Sequence, residues 1–378
     1  RRQRQMCIRD RGTGKTTLIR AIITAAEQNG LEPALMAPTG RAAKRLAISS
    51  GRDADTIHKA LEASVRETGR TYFERNEANP LEEDLIIVDE ASMLDISLFY
   101  HLLCALKDGA RLILVGDIDQ LPPVGAGEPL KDLMSWGYVP IVRLKRIFRQ
   151  EEGSGIVENA ALIRKGEMCV PDEAGEFRIV YAADDEDAYR IVMDLCRELN
   201  YGNEENKMLL QVLSPMYRGV CGVDHLNESL QEMIHGEKVP DGMKFFPGDK
   251  VMQTRNDYEK GIYNGDVGTV WTATPQKVFV RYFDKEVVYE GEERFDLRLA
   301  YAVTVHKSQG SEYETVIFIL RPSQHNMLQR NLLYTGVTRA RKNTILVTAP
   351  DALRRALAIQ HTGNRYSLFL PFLNHEAL

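Results

Sequence analysis

No run of apolar residues in this chain approaches the roughly 18 that a membrane-spanning helix requires, so a helical membrane protein is excluded. The basic residues at the start are not followed by an apolar stretch, and no signal peptide is expected. Cysteine is scarce. Cys7, Cys104, Cys169, Cys196 and Cys221 are odd in number, scattered, and nowhere spaced as metal ligands. That argues against a disulfide framework or a structural zinc site and points to a reducing cytoplasm. Positive charge is not in excess either: 54 acidic residues outnumber 48 Lys and Arg, for a formal net charge of −6. A protein that binds nucleic acid over its whole surface would be basic. A local groove stays open to that role through GRAAKR at Gly40, RLKRIFR at Arg143 and TRARK at Thr338, although each alone reads as a solvated face. Fixed-period repeats and low-complexity tracts are missing, which excludes a solenoid.

What is present is an alternation of apolar runs and amphipathic stretches, the pattern of parallel sheets with crossover helices. The 378 residues suffice for two or three domains. A helix expected over residues 16–29 leads to the strand-like PALMAP at Pro33 and a further helix from near Gly40. DLIIVDE from Asp84 and RLILVGD from Arg111 read as buried strands. A second set begins after about Leu144, with FRIVY at Phe177, a helix over 185–200, LLQVLSP at Leu209 and a helix over 223–235. It resumes with YAVTVH at Tyr301, TVIFIL at Thr315 and NTILVTAP at Asn343. Two tandem α/β units are expected. Residues 62–81 break the rhythm, alternating about Glu67-Thr68-Gly69 as a polar β-hairpin would. Residues 237–298 break it again with short strands and turn signals, the pattern of a small β-barrel.

Three strand ends carry chemistry. GTGKTT from Gly12 is half of a phosphate-binding loop, in which backbone N–H groups and a helix N-terminus hold phosphate oxygens. Lys15 suits the β- and γ-phosphates and the Thr16 hydroxyl suits Mg²⁺. The full pattern asks for glycine five residues before Gly14, where Arg9 stands, so this half alone leaves a chance match open. LIIVDEAS then ends an apolar run in Asp89 and Glu90. In P-loop ATPases the first such acid holds Mg²⁺ and the second orients and deprotonates water. Away from a strand end, the same pair would read as a solvated loop. LVGDIDQLPPVGAG from Leu114 ends a third run with Gln120, which suits a γ-phosphate, the plain alternative being a proline-rich turn.

With the motifs downstream, the chain resembles the helicase core of the RecD-like superfamily 1B DNA helicases, from Gly12 to about Ala349. The motifs run in order: GTGKTT, APTGRAAKRL, TIHKAL, IIVDEASMLD, GDIDQLPPVGAG, IFRQ, LSPMYRGVCGVDHLN, TVHKSQGSE and LYTGVTRARK. The resemblance implies two tandem RecA-like P-loop domains. The ATP-binding domain 1A would cover residues 1–61 and 82–145, with the hairpin 62–81 as a strand-separating pin. Domain 2A would cover 146–236 and 299–378, with an SH3-like insertion over 237–298. Gly12, Thr13, Gly14, Lys15, Thr16 and Thr17 would form the ATP loop, with Thr16 and Asp89 on Mg²⁺. Glu90 would be the general base, Gln120 the γ-phosphate sensor, Arg149 and Arg339 arginine fingers, and Glu312 a ribose or nucleotide contact. Pro38, Thr39, Arg41, Thr56, His58, Thr304, His306 and Lys307 match DNA-contact positions, although His58 and His306 out of that context read as packed core histidines. The implied activity is an ATP- and Mg²⁺-dependent DNA helicase, moving 5′ to 3′ on single-stranded DNA as a monomer, opening a duplex fork in recombination or repair.

Two departures stand against this pattern. Arg9-Asp10-Arg11 replaces the family's Gly-Gly-Pro, and RRQRQMCI precedes the loop where the family has an apolar strand. The expectation is a fragment whose first eleven residues are foreign to the fold and pack into no central strand, leaving Ile113 and Val115 short of neighbours and ATP weakly bound. On that basis a non-catalytic DNA-binding subunit with an impaired ATP site is the alternative. RNA also stays open as a track, since phosphate contacts carry no base information.

Overall fold

The computed structural model describes residues 4–9, 15–65, 71–144, 154–240, 242–257, 259–283, 285–360 and 369–374. The chain divides into two units, Arg1–Glu151 with Gly363–Leu378, and Glu152–Thr362.

The first unit contains, in chain order, β1 (Arg4–Arg9), β2 (Pro33–Ala37), β3 (Asp55–Thr56), β4 (Ala63–Val65), β5 (Thr71–Phe73), β6 (Leu85–Val88), β7 (Arg111–Gly116) and β8 (Ile141–Leu144). Six of them form one parallel sheet in the order β3-β2-β6-β7-β1-β8. Side chains along a strand alternate between faces. Ile87, Ile113 and Val115 accordingly meet Ile19 and Ile23 of helix α1 (Lys15–Gln28) on one face. Ile86, Val88, Leu112 and Leu114 pack on the other, with Leu98, Phe99 and Leu102 of a later helix. All four residues of β6 are buried, as a parallel strand covered on both faces must be. The remaining helices are α2 (Gly40–Ser50), α3 (Ile57–Ala60), α4 (Ile96–Cys104) and α5 (Pro129–Trp136).

The first residues contradict the expectation that they form no central strand. β1 pairs on both sides, with Arg4 to Ile8 opposite Leu112 to Gly116, and Met6 to Arg9 opposite Ile141 to Leu144. Ile113 and Val115 keep their neighbours and are 7% and 0% exposed. The physical reason is that a sheet slot is filled by backbone N–H and C=O groups, which a polar sequence supplies as well as an apolar one.

β4 and β5 pair antiparallel, Ala63 opposite Phe73 and Val65 opposite Thr71, as the base of the expected hairpin. Its turn lies outside the described residues. The chain's last helix, Phe369–Leu373, also corrects an expectation, because residues 363–378 belong with the first unit and not the second. Its apolar side chains explain this: Phe369 meets Phe99 edge-on, and the Trp136 indole donates to the Leu373 carbonyl at 3.1 Å.

The second unit has its own parallel sheet, formed by β9 (Phe177–Tyr181), β10 (Leu210–Ser214) and three later strands. Its insertion contributes β11 (Lys250–Gln253), β12 (Val267–Ala273), β13 (Lys277–Arg281), β14 (Glu286–Glu290) and β15 (Leu297–Leu299). β16 (Ala302–Thr304), β17 (Tyr313–Leu320) and β18 (Ala340–Thr348) complete the α/β sheet in the order β16-β10-β17-β18-β9. Helices α6 (Gly155–Lys165), α7 (Asp185–Glu198), α8 (Glu204–Leu209), α9 (Val223–His235), α10 (Arg330–Val337) and α11 (Pro350–Ala358) belong to this unit. The insertion is an antiparallel sheet, β14-β13-β12-β11-β15, around Phe245, Val251, Val270, Val280 and Tyr289.

A buried polar network fixes that insertion to the α/β scaffold. Asp249 accepts from the Tyr301 hydroxyl at 2.9 Å, from the Phe246 N–H at 2.7 Å and from Gln231, and pairs with His235 at 2.9 Å. Lys250 donates to the Leu210 carbonyl and the Gln211 side chain, both at 3.0 Å. Burying such charges is tolerable only with partners on every side.

Candidate nucleotide and nucleic-acid sites

Parallel strands share one carboxyl edge, and the first unit gathers its candidate residues there. Across the sheet, β3 and β2 deliver Thr56, His58, Pro38 and Thr39 to one end of that edge. Next to β2 in the sheet, β6 and then β7 deliver Asp89, Glu90 and Gln120 to the same edge. Gly12, Thr13 and Gly14 lie outside the described residues, as does Arg149. Lys15 and Thr16 open α1, and Thr17 is exposed on its first turn.

Asp89 and Glu90 follow the buried β6 and are 6% and 3% exposed. The Glu90 N–H donates to the Asp89 carboxylate at 2.9 Å. Glu90 itself sits at φ 52°, ψ 37°, a left-handed conformation that costs a residue with a Cβ on the order of 1–2 kcal/mol. Its carboxylate receives the guanidinium of Arg45 from α2 at 2.8 Å. In the next loop, Asp117 accepts from the Gln120 side chain at 3.2 Å and from the Asp119 N–H at 3.0 Å, so the candidate sensor is already oriented. The loop beyond it packs closely on the start of α4. A Cβ at Gly125 would come within 2.7 Å of Asp95, the residue that caps α4 by accepting from the Leu98 N–H. The Asp89 carboxylate supplies oxygen, the ligand atom that Mg²⁺ prefers.

At the β3 end of the edge, the Thr39 and Thr56 hydroxyls are engaged as helix caps, accepting from the N–H groups of Ala42 at 3.3 Å and Lys59 at 3.1 Å. Arg41 is half-buried in the first turn of α2. Burial lowers the pKa of His58, with Asp95 acting in the opposite direction. Its ring lies 5.9 Å from that of Phe73 in the hairpin, which in turn lies 4.5 Å from His101 on α4.

In the second unit, Thr304 ends β16 and its hydroxyl accepts from the Lys307 N–H at 3.2 Å, which opens a series of tight turns. Burial lowers the pKa of His306. Lys307 donates to Asn264, in the turn between β11 and β12 of the insertion, at 2.7 Å, and its pKa is lowered by burial and then by Arg298. Arg339 is 2% exposed. It donates to the carbonyls of Thr335 at 3.0 Å and Ser311 at 3.3 Å, joining the VHKSQGSE and VTRARK segments. The Glu312 carboxylate, expected to touch a nucleotide, pairs with Arg341 at 2.9 Å.

Several residues at these sites carry no signal in the sequence. Arg45 and Asp117 gave no signal beyond lying inside motifs, since an ion-pair partner is a tertiary choice. Arg298 stands over the Tyr217 ring at 5.9 Å, and its charge bears on both Lys307 and Lys244. Arg298 lies in a strand of the insertion and Tyr217 just after β10, so neither could be placed beside Lys307 before folding.

Comparison with known proteins follows the same divisions. An AAA domain family matches residues 2–178. The SH3 domain of ATP-dependent RecD-like DNA helicases matches 226–282, and the UvrD-like helicase C-terminal domain matches 299–347. The first match begins inside the segment expected to be foreign. An ATP-dependent RecD2 DNA helicase from Deinococcus radiodurans is 38% identical over 361 residues, covering 94% of this chain and 48% of its own. The chain therefore spans about half the length of that relative. A RecBCD enzyme subunit RecD from Mycolicibacterium smegmatis is 33% identical over 400 residues, covering 94% of this chain and 71% of its own. Among solved structures, Bacteroides Pif1 helicase with ADP-AlF3 and single-stranded DNA has a TM-score of 0.58 at 21% identity, covering 99% of this chain and 93% of that one. This last is a likeness of fold.

Proposed function

The chain belongs to the RecD-like superfamily 1B DNA helicases, and from that premise we propose that it hydrolyses ATP to move along single-stranded DNA, 5′ to 3′, and to open duplex ahead of it. The observation that carries the reading is Glu90. A buried carboxylate on a left-handed backbone, at the carboxyl edge of a parallel sheet, is a costly arrangement. Such strain persists where a site requires the geometry.

On this reading Glu90 takes a proton from a water molecule. The water oxygen bonds to the γ-phosphorus, the bond from that phosphorus to the β–γ bridging oxygen breaks, and ADP leaves with the electron pair. Lys15 holds the β- and γ-phosphates, and Gln120, oriented by Asp117, hydrogen-bonds the γ-phosphate and registers its loss. Mg²⁺, held by Thr16 and Asp89, neutralises phosphate charge when bound. Arg339 and Arg149 serve as the arginine fingers. Pro38, Thr39, Arg41, Thr56 and His58 grip the strand from one unit, and Thr304, His306 and Lys307 from the other. Alternating grip through the ATP cycle gives net movement. The track is single-stranded DNA at a fork, the motor a monomer, and the setting recombination or repair in the cytoplasm.

The test is ATPase activity with and without single-stranded DNA. Glu90→Gln is expected to bind ATP normally and to lose turnover by roughly 10² or more, the size of a positioned base. Arg339→Ala is expected to lose more, with thermal stability measured alongside because its guanidinium also carries internal hydrogen bonds. Full DNA-stimulated turnover in either variant would show the roles to be misassigned.

A further inference from the structure

Arg45 is a cation in the wrong place for a simple catalytic site. It engages the carboxylate that the proposed reaction needs free, at 2.8 Å, and that carboxylate is 4% exposed. The oxygen held by the guanidinium has a lone pair committed to that bond and is not free to take a proton from water. Yet the Arg45 side chain is 32% exposed, so a competing anion can reach the guanidinium. Arg45 also lies one turn beyond Arg41 on α2, and residues four apart share a helix face. That helix is capped by Thr39 and preceded by Pro38, both proposed strand contacts.

We infer that Arg45 is a positioning residue that restrains the general base until nucleic acid arrives. A phosphate of the bound strand draws the guanidinium off Glu90, exchanging one charge-assisted pair for another of similar strength. Glu90 then turns to the attacking water. The inference rests on the proposed function and adds to it the means by which an occupied track switches on hydrolysis. The link is short: the sheet places β2, which leads into α2, beside β6, which leads to Glu90, with Met36 opposite Val88.

The experiment compares wild type, Arg45→Gln and Arg45→Lys in ATPase assays, with and without an oligothymidylate strand, together with the dissociation constant of a non-hydrolysable ATP analogue. Arg45→Gln is expected to raise DNA-independent turnover about tenfold, the effect of removing one charge-assisted hydrogen bond. The stimulation ratio should fall by the same factor while analogue affinity stays within about twofold. Arg45→Lys, which keeps the charge, should restore most of the ratio. Unchanged basal turnover in Arg45→Gln, with wild type clearly stimulated, would overturn this inference and leave the motor reading standing. Equal loss of basal and stimulated turnover would overturn it too, showing that Arg45 only supports the fold. A wild type that hydrolyses ATP but ignores DNA would sink the motor reading, and this inference with it.

Discussion

His306 and His58 have their protonation suppressed by burial, their pKa values lying below the ordinary 6.5. Such a group binds fewer protons folded than unfolded, so stability rises with pH across the interval between the lowered value and 6.5. Lowering the pH from about 7.5 to 5.5 is therefore expected to lower the melting temperature reversibly, and His306→Gln should make the fall shallower. A melting temperature that climbs on acidification would mean these rings gain a partner as cations. At this scale the candidate residues were readable wherever chemistry demands a type at a fixed spacing, as with Asp89 and Glu90 after an apolar run. What could not be read was which partner each one finds. The Arg45–Glu90 pair joins positions 45 residues apart, and the Arg339 guanidinium reaches back to Ser311.

Elements with strong apolar patterning were legible almost to their ends: β6, β7, β17 and α9 lie where their runs placed them. β1 was misjudged because interior parallel strands are usually continuous apolar runs, and RQMCIR is not one. Its place depends on β7 on one side and β8 on the other, and four weakly patterned residues gave no warning of β8. The support for an inactive ATP site drawn from a missing strand goes with it. The hairpin is anchored through Phe73, 7% exposed and set between His58 and His101. Phe73→Ala is expected to slow duplex opening by up to about 10²-fold, the cost that a misplacement of about 1 Å can carry. Single-stranded DNA should go on stimulating ATP hydrolysis within about twofold. Replacing residues 65–75 with a short Gly-Ser turn should go further and abolish opening. Parallel loss of both activities would instead make the hairpin a support for the fold.

At the scale of the whole molecule, motif order gave the tandem α/β plan and both insertions. It did not give the sheet order, which sets the strand ends carrying Thr56 and Pro38 beside the one carrying Asp89 and Glu90 on a single carboxyl edge. It also did not give the return of Phe369–Leu373 to the first unit, because five mostly apolar residues do not announce what they will cover. The central claim is that ATP hydrolysis at Glu90 drives movement along single-stranded DNA. Its most direct measurement is strand displacement on two duplexes of equal length, one with a 5′ single-stranded tail and one with a 3′ tail, with ATP and Mg²⁺. Only the 5′-tailed duplex is expected to open, and leaving out ATP or substituting Glu90→Gln is expected to stop it. Failure to open either duplex while ATP is consumed at the same rate with and without DNA would contradict that claim.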